Sequence, residues 1–201
     1  MTDSVREAPV YADALALDLA NTVYMSRGKD LDALVDLDDL QKWTGKVAPR
    51  LPISPSAGWA DGLAANDADL EEFRKLRDAI RSVAADVVTG KTPAAMHVEA
   101  MNAAAARAPR RPVLSLAPDG SLRKGAVSDA PTMQTVLSAL AEDAIDLFGG
   151  DRCQKLRACQ APNCPQYFLK DHARREWCGP SCGNRVRAAR AYRKRIASAA
   201  K

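Results

Sequence analysis

Two pairs of cysteines in the last quarter of the chain constrain its fold more than any other sequence feature. Cys159 and Cys164 form the first pair, and Cys178 and Cys182 form the second pair after thirteen intervening residues. Four thiolates in two close pairs can surround one tetrahedral zinc ion, because each pair supplies one edge of the tetrahedron. We therefore predict a structural zinc site on these four cysteines. A closed four-thiolate shell leaves no position for water, so the pattern does not indicate catalytic zinc.

Two further residues near these pairs need an interpretation. Cys153 precedes the first pair and is interpreted as a free or half-buried thiol, whereas His172 lies between the pairs and is the only reasonable substitute ligand. The alternative to a metal site is a set of reduced, unliganded cysteines, which gives no reason for the pairing. A segment of about 40 residues buries too little apolar surface to fold alone, so we expect the metal to supply much of its folding free energy.

The second cysteine pair predicts how the metal-binding segment is built. Cys178 and Cys182 are spaced i, i+4, so both sulfurs can face one ion from the first turn of a helix that begins near Pro180 or Ser181. A helix N-terminus also favours thiolates, because its free N–H groups carry partial positive charge. This layout predicts a treble-clef-like zinc finger that ends in a basic helix. Three aromatic side chains are expected to cover the metal: Tyr167, Phe168 and Trp177.

The predicted C-terminal helix has a cationic side and an apolar side. At 100° per residue, four cations fall within about 60° of one another: Arg187, Arg190, Lys194 and Lys201. The opposite side is expected to pack inward through Ala189, Tyr192 and Ile196. Such a helix can lie along phosphates or enter a major groove. The candidate nucleic-acid-binding residues are Arg174, Arg175, Arg185, Arg187, Arg190, Arg193 and Lys194. The alternative is a solvated basic helix that serves only solubility.

The charge of the chain is divided unevenly along its length. Residues 151–201 contain 13 Lys and Arg against 3 Asp and Glu, a net charge of +10, out of totals of 29 and 25 for the chain. Residues 1–150 therefore hold 16 basic and 22 acidic residues, a net charge of −6. An acidic body with a basic tail indicates a polyanionic partner for the tail, and DNA is the expected one. A homodimer and an unidentified small-molecule effector stay open as further partners.

Composition and hydropathy favour a cytoplasmic protein. The chain is 47% hydrophobic and 27% charged, and its first nine residues lack the apolar core of a secretory signal. No run approaches about 18 consecutive apolar residues, so we expect neither a membrane span nor a membrane partner. Thiols stay reduced in the cytoplasm, which favours metal ligation over disulfides for the cysteines.

Upstream of the cysteines, the pattern predicts a mainly helical α+β body. Gly149, Gly150 and Asp151 mark a boundary between a body of residues 1–150 and a finger of residues 151–201. Apolar residues at helical spacing predict core helices over residues 73–87 and 133–148, with a shorter helix from Leu15 through Leu19 to Val23, and another over residues 36–43. A turn at Asp119 and Gly120 predicts a small antiparallel hairpin between residues 111 and 127, and the stretch 49–62 is interpreted as a loop.

The body shows little sign of catalytic chemistry, so we do not expect an enzyme. His97 is interpreted as a structural histidine in an alanine-rich helix, and neighbouring acids point in different directions along their helices. One segment of the body needs a separate interpretation. It is apolar except for three polar residues, which need hydrogen-bond partners if they are buried: Asp18, Asn21 and Thr22. They are interpreted either as an internal hydrogen-bonded group or as part of a ligand pocket.

Two segments resemble known bacterial families. The finger, with Cys159 through Cys164, Trp177–Cys178 and the tetrapeptide Cys182-Gly-Asn-Arg185, resembles the CGNR zinc finger. The upstream segment 15–22, followed by residues 34–43, is similar to the ABATE domain that usually precedes this finger. The resemblance implies zinc on the four paired cysteines, DNA binding by the basic finger and a role as a stress-induced transcription regulator.

Two function classes therefore follow from the sequence. The first is a zinc-containing DNA-binding transcription regulator whose body oligomerises or senses a ligand. The second is an interaction protein in which zinc stabilises a basic C-terminal helix that docks on RNA or on an acidic protein surface, including the chain's own body.

Overall fold

The computed structural model describes residue 10 and residues 14–26, 28–53 and 64–199. Within these ranges the chain forms six α-helices and three two-stranded antiparallel hairpins. The helices are α1 (Leu15–Ala20), α2 (Leu37–Val47), α3 (Asp67–Val88), α4 (Ala95–Ala106), α5 (Thr132–Gly149) and α6 (Pro180–Ala199). The strands are β1 (Val23–Ser26), β2 (Lys29–Asp32), β3 (Arg111–Leu116), β4 (Leu122–Val127), β5 (Leu156–Ala158) and β6 (Tyr167–Leu169). The predicted class, a mainly helical α+β body followed by a treble-clef-like finger with a basic helix, is confirmed.

The core of the body lies between α1, α3, α4 and α5. Helix α1 is apolar on nearly every side, and all six of its residues are buried, as expected for a short helix in the middle of a bundle. The long helices α3 and α5 contribute the largest buried side chains, among them Phe73, Ile80 and Leu140. Helix α2 closes one end through Trp43, whose ring meets that of Phe73 edge to face with centroids 6.4 Å apart.

The long predicted helices agree with the observed ones. The expected helices over residues 73–87 and 133–148 are α3 and α5, and α5 ends at Gly149 as the glycine pair indicated. The helix expected over residues 36–43 is α2, and Asp36 is its N-cap because its side chain accepts a hydrogen bond from the Asp39 N–H at 2.9 Å. His97 lies in α4, as predicted.

One local prediction in the body is wrong, and the bounds of a second differ from the structure. The helix predicted through Val23 ends earlier, because Asn21 caps α1 and Val23 begins the hairpin β1–β2. The loop predicted over residues 49–62 begins inside a 3-10 helix, Ala48–Arg50, which Pro49 favours through its fixed φ. Residues 54–62 of that stretch lie outside the described residues.

The finger is seated on the body by apolar contacts. Leu156 of β5 and Leu169 of β6 are buried in a cluster with Leu17 of α1, Ala84 of α3 and Leu147 of α5. This cluster is separate from the main core and from the residues around the cysteines. The orientation of the finger relative to the body is therefore fixed by side chains from three body helices.

Helix α6 leaves the body after its first turns. Cys182 and Val186 are buried, but every residue from 190 to 198 is exposed. The prediction that Ala189, Tyr192 and Ile196 pack inward is therefore wrong for the last two, which are 59% and 52% exposed. A helical wheel predicts a buried side only where a packing partner runs beside the helix. Here no described part of the chain packs beside the second half of α6. Lys201, assigned to the cationic side, lies outside the described residues.

No helix within the described ranges is both long enough and apolar enough to cross a membrane.

Candidate metal centre

The first cysteine pair lies in the turn between β5 and β6. The Cys159 N–H donates to Gln166 O at 2.9 Å, which continues the hairpin ladder by one step. The Cys164 N–H donates to Ala161 O at 3.0 Å and closes a tight turn. Asn163 adopts a left-handed conformation in this turn, with φ 56°, which asparagine tolerates better than most residues. The turn brings the Cys164 side chain back toward Cys159.

The second pair stands at the N-terminus of α6. Cys178 comes just before the helix and Cys182 lies in its first turn, where the Gly183 N–H donates to Gly179 O at 3.3 Å. Pro180 begins the helix, in agreement with the prediction, because its fixed φ suits the first helical position. The i, i+4 spacing therefore places both sulfurs on the side of the helix that faces the β5–β6 turn.

The four sulfur atoms form a cluster with the dimensions of a tetrahedral site. All four lie within 4.8 Å of one another, and three of the cysteines are buried. The Sγ–Sγ distances are 3.5 Å for Cys178 and Cys182, 3.6 Å for Cys182 and Cys164, and 3.8 Å for Cys164 and Cys178. Zinc–sulfur bonds of about 2.3 Å in a tetrahedron require edges of about 3.8 Å. The predicted ligand set fits one zinc ion, which Cys159, Cys164, Cys178 and Cys182 would hold with no open position.

The four thiols lie close enough to shift one another's pKa values. Hydrogen bonds from Cys164 and Cys178 lower the pKa of the Cys159 thiol to about 2. The same bond with Cys159 raises the pKa of Cys164 to about 12, and Cys159 likewise raises the pKa of Cys178. Without a cation, Cys159 is thus the favoured thiolate, and Cys164 and Cys178 keep their protons. A divalent ion is needed to hold all four sulfurs deprotonated.

Two donors outside the cysteine side chains reach the sulfurs. The Arg185 guanidinium donates through Nη2 to Cys182 Sγ at 3.4 Å, and the Cys178 N–H donates to Cys159 Sγ at 3.5 Å. Gln166 contacts the cluster as well, with its side-chain oxygen 3.1 Å from Cys178 Sγ. Such contacts orient metal ligands and tune their charge.

An aromatic and apolar layer covers the cluster. Phe168 and Val186 are buried against the cysteines, and Trp177 packs partly buried beside them. A Cβ atom on Gly183 would lie 3.2 Å from Trp177 Cε3, so glycine allows the indole to approach the helix closely. The expected cover is confirmed for Phe168 and Trp177. Tyr167 instead packs toward the body, in the cluster of Leu156 and Leu169.

Neither of the two other candidates joins the cluster. Cys153 lies in a 3-10 helix, Asp151–Lys155, and is half-buried, as interpreted from the sequence. His172 is exposed, and its Nε2 atom lies 3.8 Å from Asp171. Among the described residues, the metal-ligand group contains only the four paired cysteines.

The candidate nucleic-acid-binding residues fall into two structural groups. Arg185 is partly buried against the metal centre, and Arg175 stacks over Phe168 while donating to Leu169 O and Cys178 O. The remaining candidates have exposed side chains on α6 or just before it: Arg174, Arg187, Arg190, Arg193 and Lys194. The structure therefore gives Arg175 and Arg185 supporting contacts in the finger, and their nucleic-acid contacts stay predictions.

A cavity of about 440 Å³ lies where α6, the finger and the end of α3 meet. Phe168, Trp177 and Val88 contribute to its apolar lining, and Lys170 and Arg190 are among its cationic residues. It continues the basic surface of α6 toward the body.

The group at Asp18, Asn21 and Thr22 is fully buried and bonded within the chain. Asp18 pairs with Arg50, and the Thr22 hydroxyl donates to Leu19 O at 2.8 Å. Asn21 reaches the finger, because its Nδ2 donates to Tyr167 O and its Oδ1 accepts from the Tyr167 N–H, both at 2.9 Å. These contacts favour the internal hydrogen-bonded group over the ligand pocket, which stays a prediction.

Sequence reasoning missed Arg81, a second link between body and finger. Its Nη1 donates to Ala20 O at 2.8 Å and to Pro165 O at 3.2 Å, and its guanidinium lies 5.7 Å from the Tyr167 ring centroid. Burial lowers the pKa of this guanidinium. An arginine in the middle of an amphipathic helix gives no signal of such a role, because the pattern predicts a solvated side chain.

Comparison with known protein families gives two matches. A family described as "ABATE: Putative stress-induced transcription regulator" matches residues 13–151, and the CGNR zinc finger matches residues 155–195. The second match contains all four clustered cysteines. A comparison with curated proteins found no match.

Proposed function

The chain belongs to the ABATE family and carries a CGNR zinc finger at its C-terminal end, and from this premise we propose that it is a DNA-binding transcription regulator. The family description links this role to stress. The proposal assigns the contact with DNA to the finger, and specifically to α6.

One observation carries the proposal, namely that the second half of α6 is a basic rod standing clear of the body. Its residues from 190 to 198 are all exposed. Within the described part of the chain, the cations of this half form no ion pair: Arg190, Arg193, Lys194 and Arg195. Uncompensated cations on a protruding helix suit a groove lined by phosphates, which admits a single α-helix.

Zinc would contribute by fixing where this helix begins. When bound, the ion supplies the charge that keeps four thiolates together, and two of those ligands belong to the start of α6. The aromatic layer over the cluster and the Leu156–Leu169 contact with the body hold the finger in one orientation. The cations of α6 are thus presented in a fixed direction, which lowers the entropy lost on binding.

The charge distribution also supports the approach of DNA to the finger rather than to the body. Residues 1–150 carry a net charge of −6 and residues 151–201 a net charge of +10. A polyanion is repelled by the first and attracted by the second, so it meets the finger first.

We also infer that the chain acts by binding rather than by catalysis. A metal with four thiolate ligands has no position for an activated water. The buried polar group at Asp18 and Asn21, which is the candidate ligand pocket, is occupied by contacts within the protein.

Duplex binding at increasing salt concentration tests the proposal on the full-length, zinc-loaded protein. About four to six phosphate contacts predict that log K falls with log salt with a slope of about −4 to −5. The double variant Arg190→Glu with Lys194→Glu should weaken binding and reduce the magnitude of the slope by about two. Fluorescence anisotropy of a labelled duplex measures both quantities.

The matched control reverses an exposed charge on the body. Lys29→Glu also replaces a cation with an acid, but it does so on β2 and leaves α6 unchanged. This variant should therefore bind DNA like the wild type. Absence of duplex binding at 50 mM salt, or equal effects of the control and the α6 variant, would contradict the proposal. Tighter binding to single-stranded RNA than to the duplex would favour the interaction-protein alternative.

A further inference from the structure

The cavity of about 440 Å³ at the junction of body and finger has the features of a small-molecule site. Its volume lies within the range of about 300–1,000 Å³ that is usual for such sites, which often form where two units of a protein meet. Val88 of α3, Phe168 of β6 and Val186 of α6 each contribute to its lining. We call it the junction cavity.

The strand alternation of β5–β6 explains why one wall of the cavity combines cations with an aromatic ring. Leu156 and Leu169 are buried against the helices of the body. Arg157 and Phe168 are direct register partners, so they lie together on the opposite side of the hairpin. Lys170 is two residues beyond Phe168, and its N–H continues the ladder with a 2.8 Å bond to the other arm. This side of the hairpin lines the junction cavity.

Helix α6 supplies a second wall with a similar combination of groups. Val186 and Arg190 are four residues apart and therefore lie on one side of the helix, and both line the cavity. Val186 is buried, whereas Arg190 is exposed, because α6 leaves the body after its first turns. The junction cavity is thus apolar near the metal centre and cationic where the helix moves away.

Cations outnumber acids in the lining. The cations are Arg157, Lys170, Arg175 and Arg190, and the acid is Glu176. Among the described residues, no acid forms an ion pair with Arg157, Lys170 or Arg190. A concave surface with unpaired cations concentrates anions, so the ligand of this cavity is expected to carry negative charge.

The apolar part of the lining favours a small organic acid over the phosphates of DNA. A phosphate would leave Val88, Phe168 and Trp177 in contact with water, whereas an aromatic ring would cover them. Arg175 lies over Phe168, with its guanidinium 5.0 Å from the ring centroid, and two hydrogen bonds to backbone oxygens hold it there. A guanidinium fixed in this way offers a planar surface on which a further planar group can stack.

We propose that the junction cavity binds a small carboxylate that carries an aromatic ring. The ring covers the apolar lining, and Arg157, Lys170 and Arg190 neutralise the carboxylate. Because Arg190 also belongs to the exposed half of α6, an occupied cavity takes one cation from the proposed contact with DNA. Binding at this site is measured without DNA, so its failure and the failure of the proposed function are distinguishable.

Isothermal titration calorimetry of the full-length, zinc-loaded protein with 2-naphthoate tests the proposal. We expect one site per chain, with a dissociation constant of about 0.1 to 1 mM for a ligand of this size. Two further titrations separate the ring from the charge. The alcohol 2-naphthylmethanol keeps the ring without the charge, and inorganic phosphate keeps the charge without the ring. Each should bind about tenfold more weakly than 2-naphthoate, or worse.

Three outcomes of these titrations would overturn the proposal. The first is a protein that does not bind 2-naphthoate, which is also the result expected if another part of the chain fills the cavity. The second is equally tight binding of the alcohol, because the cations would then have no role. The third is phosphate binding as tight as that of 2-naphthoate, which would indicate that the cavity accepts a phosphate of nucleic acid instead.

A pair of double variants shows whether the ligand occupies the cavity or is merely attracted to a basic finger. Arg157→Gln with Lys170→Gln removes two cations of the lining and should weaken 2-naphthoate binding by about tenfold. Arg193→Gln with Lys194→Gln removes the same two charges from the exposed half of α6, outside the described lining, and should bind like the wild type. Circular dichroism and zinc content establish that both variants are folded. Equal losses in the two variants would overturn the proposal.

The indole N–H signal of Trp177 locates the bound ring. An aromatic ring inside the cavity shifts this signal in a heteronuclear NMR spectrum, because Trp177 belongs to the lining. The signal of Trp43, which is buried in the core of the body, should stay in place. The spectrum of the Trp177→Phe variant identifies the signal. A Trp177 signal that does not move at saturating 2-naphthoate would contradict binding in the junction cavity.

Discussion

Arg185 gives the metal centre a charged donor that is not itself a ligand. Its Nη2 reaches Cys182 Sγ at 3.4 Å, while its Nε is buried without a hydrogen-bond partner among the described residues. Burying a guanidinium in this way is costly unless a nearby negative charge compensates it. A zinc-bound thiolate on Cys182 would supply that charge, and we therefore expect Arg185 and the metal to stabilise each other.

Replacing this guanidinium tests its contribution to the metal centre. Arg185→Met keeps the aliphatic stem but removes the donor, and we expect zinc affinity to fall by about tenfold or more. Competition with a chromophoric zinc chelator at fixed pH measures the change. Arg187→Met is the control, because Arg187 bonds to Asn184 and lies over Trp177 without reaching a sulfur. If both variants bind zinc equally well, Arg185 does not act on the metal centre.

The spacing of the cysteines made the ligands predictable, whereas the roles of the arginines were not. Four thiols in two pairs have few arrangements around one ion, so spacing alone identified the set. The pattern of charges in the sequence does not show which cations contact residues of the finger itself and which are exposed. Arg175 and Arg185 were therefore grouped with the exposed arginines, although they contact Phe168 and Cys182.

At the level of elements, predictability followed length and periodicity. Helices α3 and α5 have many turns of one-sided apolar spacing, and their positions agree with the prediction. The hairpin β3–β4 was found from its Asp-Gly turn. The hairpins β1–β2 and β5–β6 were not found, because strands of four and three residues are too short to show alternation.

Helix α6 shows that the start of a helix depends on local sequence, whereas its buried side depends on what packs against it. Its start at Pro180 follows from local chemistry, so the sequence predicted it. Its buried side depends on where the body ends, and the body ends before Tyr192 and Ile196. These two side chains are therefore exposed among the cations, where they are available for contacts with bases or with a protein partner.

At the level of the whole molecule, the body and the finger are joined by polar contacts as well as by apolar packing. Asn21 binds both backbone groups of Tyr167, as a neighbouring strand would. Arg81 bonds to Ala20 O on the body and to Pro165 O on the finger. Gln166 links the metal centre to the C-terminal end of α1, because it contacts both Cys178 Sγ and Asn21 O. The metal centre is thus connected to α1 through one side chain.

Removing the Asn21 amide tests this connection. Asn21→Ala leaves the N–H and carbonyl of Tyr167 without partners, so we expect the free energy of unfolding to fall by about 3 kcal/mol. Urea denaturation of the full-length, zinc-loaded protein measures the change. Asn102→Ala makes the same replacement on the exposed side of α4 and should change stability by less than about 0.5 kcal/mol. Equal denaturation midpoints for the two variants would contradict the role of Asn21.

These links could not be read from the sequence because their partners are about 80 to 150 residues apart. The sequence did indicate that Asp18, Asn21 and Thr22 needed partners, since polar groups in a buried helix are rarely left unpaired. It could not tell whether the partners came from the chain or from a ligand. The finger, which the composition had separated from the body, provides the partner of Asn21.

X-ray absorption at the zinc edge, on the purified full-length protein, tests the central claim most directly. The claim is that one zinc ion bound by Cys159, Cys164, Cys178 and Cys182 fixes the start of the basic helix. It predicts one zinc per chain with four sulfur neighbours at about 2.3 Å and no oxygen or nitrogen ligand. A protein that is folded through residues 156–199 without zinc, or whose zinc has fewer than four sulfur ligands, would contradict it.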